Sequence, residues 1–134
     1  MVTDLEDPGG GFSDPRLGMI DAGFTFDIAD HGSGAPGVLD LHAVAFGDYD
    51  AVVVASDFGG WLRQRELDIL NARSVDLMNY INSGGGVIAF SESGAGPLAL
   101  TTHDRFGFLP FLVPGRRMAL VHSFLEDIFS SRHD

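Results

Sequence analysis

The chain contains no cysteine and no lysine. The first absence excludes disulfides, thiolate nucleophiles and zinc–thiolate sites, and it removes cysteine usage as a guide to redox compartment. The second leaves eight arginines as the whole basic complement, against fifteen aspartates and four glutamates, for a formal net charge of −11. Coulomb repulsion from so acidic a surface argues against nucleic acid or an anionic membrane as partner. No apolar run approaches the length of a membrane span. Residues 1–7 are acidic and lack the apolar core of a signal peptide. No localisation is therefore assigned, and membership of a larger exported protein stays compatible with the sequence. Phosphate loops are also missing. Neither Gly9-Gly10-Gly11 nor Gly84-Gly85-Gly86 leads into Lys-Ser/Thr or follows the order G-x-G-x-x-G, so nucleotide binding is not expected.

What is present suits one globular domain spanning residues 1–134. A hydrophobic fraction of 45% and a mean hydropathy of +0.14 are those of a folded chain, and the length is enough for a real core. Asp14-Pro15 is a helix start, with a helix running to about Ala22 and stopping at Gly23. Phe24-Thr25-Phe26-Asp27-Ile28 alternates as a half-buried strand does. The glycine- and proline-rich residues 30–37 form a loop, and 39–44 fits either a short helix or an extended connection. Ala51-Val52-Val53-Val54-Ala55 is a continuous β-branched strand of the kind covered on both faces. A helical region follows from about Trp61 to Asn82, where Ser74 can cap a second piece. Val87–Phe90 is the next buried strand. Residues 97–102 fit a short helix, and 117–129 an amphipathic one. Strands alternating with helices imply an α/β fold with a small, mostly parallel sheet and right-handed crossovers. A first strand is either absent or hidden in residues 1–6.

The run Tyr49-Asp50-Ala51-Val52-Val53-Val54-Ala55-Ser56, a helix, and then Gly84-Gly85-Gly86-Val87-Ile88-Ala89-Phe90-Ser91 resembles the class I glutamine amidotransferase-like superfamily. The similarity covers roughly residues 49–94. It implies a three-layer, flavodoxin-like sandwich in which a nucleophile sits on a sharp turn after the last of these strands. The amidotransferases carry cysteine there, where this chain has Ser91, and serine resembles the serine-peptidase branch of the superfamily. Those peptidases follow the serine with Ala-Gly, which lets the backbone turn sharply and offer its N–H to an oxyanion. Here Glu92-Ser93 follows instead, and the carboxylate would repel a developing oxyanion. The resemblance therefore implies a non-catalytic or degenerate member that acts as a binding or structural module. The alternative is a serine hydrolase.

For the hydrolase, Ser91 and Ser93 are the candidate nucleophiles and His103 the candidate base, with Asp57 or Asp104 to orient it. For the binding module, Asp57, Glu92 and Gly94 are the candidate ligand contacts, because ligands of open α/β sheets sit beyond the carboxyl ends of the strands. No metal or cofactor is expected. Asp4, Glu6, Asp7 and Asp14 lack EF-hand spacing and read as a solvated acidic tail. No pair of the five histidines shows the i, i+4 spacing with glutamate of a helical zinc site, and His31 and His42 fall in flanking loops. The apolar run Phe106-Gly107-Phe108-Leu109-Pro110-Phe111-Leu112-Val113 reads either as core under a sheet edge or as a contact with a protein partner or second copy.

Overall fold

A computed structural model of the chain describes residues 1–4, 15–55, 62–90 and 105–111. In chain order the elements are α1 (Pro15–Asp21), β1 (Ile28–Asp30), β2 (Val38–Asp40), a 3-10 turn (Phe46–Asp48), β3 (Ala51–Val54), α2 (Gln64–Ala72), α3 (Ser74–Asn82) and β4 (Gly86–Ala89). β1 pairs in parallel with β2, and β3 in parallel with β4. The link between the two pairs is Val2, which bridges Ala29 on one side and Val54 on the other, again in parallel. Its N–H donates to the Val53 carbonyl at 2.7 Å, and its carbonyl accepts from Ala55 N–H at 3.0 Å. The segment around Val2 thus lies in the middle of the sheet, whose order among the described residues is β2, β1, N-terminal segment, β3, β4. Val2 is 2% exposed, as a central β-branched residue covered on both faces should be.

Mixed α/β character and parallel pairing follow the sequence reading, while several boundaries move. The first predicted strand begins later: Phe24 is 62% exposed and β1 starts at Ile28. The reason is that Gly23, at φ +78°, ends the turn after α1 and leaves 24–27 as a connection. The helical region does divide, at Arg73, and Ser74 becomes the first residue of α3 instead of its cap. Arg73 holds the corner. Its Nη1 donates to the Leu41 carbonyl at 2.7 Å, its Nε pairs with Asp76 at 3.0 Å, and its guanidinium lies 4.2 Å above the Phe46 ring.

The core joins Val2, Val52 and Val54 to Leu62, Leu67, Leu70 and Leu77, with Leu41 and Phe46 beside them. Phe108 is also fully buried within it. Leu67 and Leu70 recur at the three-residue spacing that gives α2 its apolar stripe. The Gly84-Gly85-Gly86 turn has two separate causes. Gly84 takes φ +101°, and a Cβ on Gly85 would lie 2.2 Å from the Tyr80 ring. That ring is fixed by its hydroxyl, which donates to the carbonyls of Tyr49 and Gly86 at 3.1 and 3.3 Å. β4 was expected to be buried, but Ile88 and Phe90 are 50% and 56% exposed. Among the described residues β4 is the outermost strand on its side, and the face that carries Ile88 is the more exposed of its two.

Candidate functional site

Three acidic or imidazole groups meet at the carboxyl end of the two central strands. The N-terminal segment runs parallel to its neighbours, so Asp4 emerges at that end. His31 follows Asp30, the last residue of β1. Glu66 lies in the first turn of α2, the helix that returns from the carboxyl end of β3. One ligating atom from each of Asp4, His31 and Glu66 lies within 4.8 Å of the other two. Sites of open α/β sheets form in this crevice.

Glu66 is fully buried despite its charge. Its Oε1 accepts from His31 twice, from the ring Nδ1 at 2.7 Å and from the backbone N–H at 3.3 Å. Its Oε2 is buried and accepts no hydrogen bond among the described residues. Burial pushes the Glu66 carboxyl above its ordinary pKa and the nearby Asp4 charge adds to the rise, against the opposing bond from His31. A carboxylate holding Nδ1 in this way fixes the ring and its tautomer. His31 is only partly buried, at 25% side-chain exposure.

Asp4 is 1% exposed, so it is no part of a solvated acidic tail. Arg65 donates to its Oδ2 through Nε at 3.1 Å and Nη2 at 2.7 Å, and Arg63 Nε approaches the same oxygen at 3.2 Å. Arg65 Nε also lies 3.4 Å from Glu66 Oε1. The two guanidinium groups offset the two carboxylates and make burial of both tolerable. Behind the cluster, Asp30 closes the β1 turn. Its Oδ1 accepts from the N–H groups of Gly32 and Ser33, both at 2.9 Å, and its Oδ2 accepts from the Ser33 hydroxyl. Burial alone would raise the Asp30 pKa, but these bonds favour the ionised form and hold it below the ordinary value.

Ser91, Ser93, His103, Asp57, Glu92 and Gly94 lie outside the described residues. The cluster that the structure brings together contains none of them. Its members stand 27 and 35 residues apart in sequence, so no local spacing announces them. The available signals are a histidine directly after β1 and a glutamate in the first turn of the helix that follows β3. Phe106 to Phe111, the described part of the proposed contact segment, divides in two. Phe108 is core, whereas Phe111 is 61% exposed beside an open groove of about 320 Å³. No described helix is long and apolar enough to cross a membrane. No protein-family model, curated protein or solved structure matches this chain.

Proposed function

We propose that the chain is an amidotransferase-like α/β domain, flavodoxin-like in its layering, that works as a binding module without amidotransferase catalysis. The carrying observation is the largely buried trio of Asp4, His31 and Glu66 at the carboxyl end of the central strands, with one Glu66 oxygen that accepts no hydrogen bond among the described residues. A fully buried, partly satisfied acid destabilises a fold, and such groups concentrate where a ligand supplies what the protein does not. The absence of cysteine supports the non-catalytic side of the reading. A partner or second copy would meet the domain near Phe111, the exposed member of the apolar run.

The second reading, a serine hydrolase, gains one observation. The 2.7 Å contact between His31 Nδ1 and Glu66 is the base-and-orienter pair that a serine nucleophile requires. This makes His31 a better candidate base than His103. A fluorophosphonate probe separates the two readings. The binding module remains unlabelled. Stoichiometric labelling that is lost in both Ser91→Ala and His31→Ala would replace it with the hydrolase.

A further inference from the structure

We propose that Asp4, His31 and Glu66 bind one divalent transition-metal ion of the zinc class. The inference deepens the binding-module reading and rests on it. Three features of the trio point to such an ion.

The first is distance. Metal–ligand bonds to imidazole nitrogen and carboxylate oxygen run about 2.0–2.2 Å, which places two tetrahedral ligands about 3.4 Å apart. His31 Nδ1 and Glu66 Oε1 are 2.7 Å apart, and all three donors fall within 4.8 Å. Side-chain rotations of about an ångström bring them to bonding distance of a common centre.

The second is the orphaned oxygen. Glu66 Oε2 sits in the interior with no hydrogen-bond partner among the described residues, and a cation bound to the Glu66 carboxylate neutralises the charge left on it. The third is the donor set. One imidazole with two carboxylates suits d-block dications, whereas calcium and magnesium prefer six or more oxygens. Arg63 and Arg65 fit the role of outer partners, since they fix Asp4 from its Oδ2 side as second-shell groups fix ligating carboxylates. Their positive charges oppose a dication. Weakly held oxygen-loving ions are therefore disfavoured, and the bond to imidazole nitrogen becomes decisive.

The test titrates the full chain, stripped with chelator, with Zn²⁺ by calorimetry and with Co²⁺ by visible absorption. One ion per chain is expected, with a raised Tm and with Mg²⁺ and Ca²⁺ failing to compete at a hundredfold excess. His31→Gln and Glu66→Gln are each expected to weaken binding more than the ten- to hundredfold typical of outer-partner losses. His42→Ala, an exposed histidine elsewhere, should leave it unchanged. Because His31 is partly exposed, His31→Gln decides the matter even if Glu66→Gln fails to fold. Absence of saturable binding overturns the proposal, as does binding that both variants leave intact, which would mark adventitious adsorption to an acidic surface. If metal binding fails and the fluorophosphonate probe does not label, the binding-module reading stands with a different ligand. Labelling lost in both Ser91→Ala and His31→Ala overturns the binding-module reading, while saturable Zn²⁺ binding that depends on His31 still upholds the metal site.

Discussion

At the middle of the sheet two carboxylates, Asp4 and Glu66, are 1% and 0% exposed, while at the β4 edge Ile88 and Phe90 stand half in water. Each region breaks the usual partition of polar outside and apolar inside, and they break it in opposite directions. The centre can hold charge because Arg63 at the N-cap of α2, Arg65 in its first turn and His31 after β1 converge on it. At the edge, Val87 and Ala89 are partly covered with help from Phe106 and Leu109, but the opposite face of β4 has no described partner. The centre is thus organised around specific polar groups and the edge around unspecific apolar area. A ligand with defined chemistry fits the first, and a packing surface fits the second.

Five substitutions sharpen the contrast. The largest effect is expected from Asp4→Ala, which leaves Arg63 and Arg65 without their shared carboxylate. A loss of about 3 kcal/mol in urea unfolding is expected, moderated by the partial exposure of both arginines. A loss below about 0.5 kcal/mol would mean that the central ion pairs do not hold the sheet together.

Next is Gly85→Ala, whose new methyl must displace the Tyr80 ring. It should cost about 2 kcal/mol through strain at a packed position. Tyr80→Phe removes only the hydroxyl bonds and should cost about 1 kcal/mol. If Gly85→Ala is neutral, the edge is looser than its geometry implies.

Asp30→Asn probes the turn that presents His31, and its effect should depend on pH. The folded pKa of Asp30 lies below the unfolded value of about 3.9. The ionised carboxylate therefore adds stability above that value, and the addition is lost as pH falls through the folded pKa. At pH 7 the variant should be about 1 kcal/mol less stable than the parent, and at strongly acid pH the difference should vanish. A difference independent of pH would assign the effect to shape instead of charge. The smallest effect is that of Phe111→Ser, within about 0.5 kcal/mol for an exposed side chain. If it abolishes self-association in sedimentation while Tm stays constant, the edge is an interface.

The elements most legible in the sequence are those with unbroken local patterns. Ala51 to Val54 reads as a strand because four consecutive small or β-branched residues leave no helical stripe, and the Leu67–Leu70 spacing announces α2. The corner at Arg73 is less legible because tertiary contacts with Leu41 and Phe46 make it, and no local cap does. The central strand was harder still, since Val2 bridges only one residue on each side and its register depends on partners 27 and 52 positions away. The exposure of Ile88 is not legible because Val87-Ile88-Ala89-Phe90 is apolar throughout, and composition does not say which face of a strand is covered. The Asp4–His31–Glu66 cluster is not legible in the sequence for the same reason that it is coherent in space: parallel strand order assembles it, and sequence spacing does not.

The central claim is that Glu66 is buried for a ligand and not for the fold. The most direct measurement compares metal-free wild type and Glu66→Gln by chemical denaturation, with Zn²⁺ titrations of both. Glutamine keeps an oxygen for the His31 bonds and removes the buried charge, so the account predicts equal or higher stability with loss of ion binding. A loss of more than about 2 kcal/mol, with ion binding unchanged, would contradict it and make the Asp4–His31–Glu66 cluster a structural ion pair.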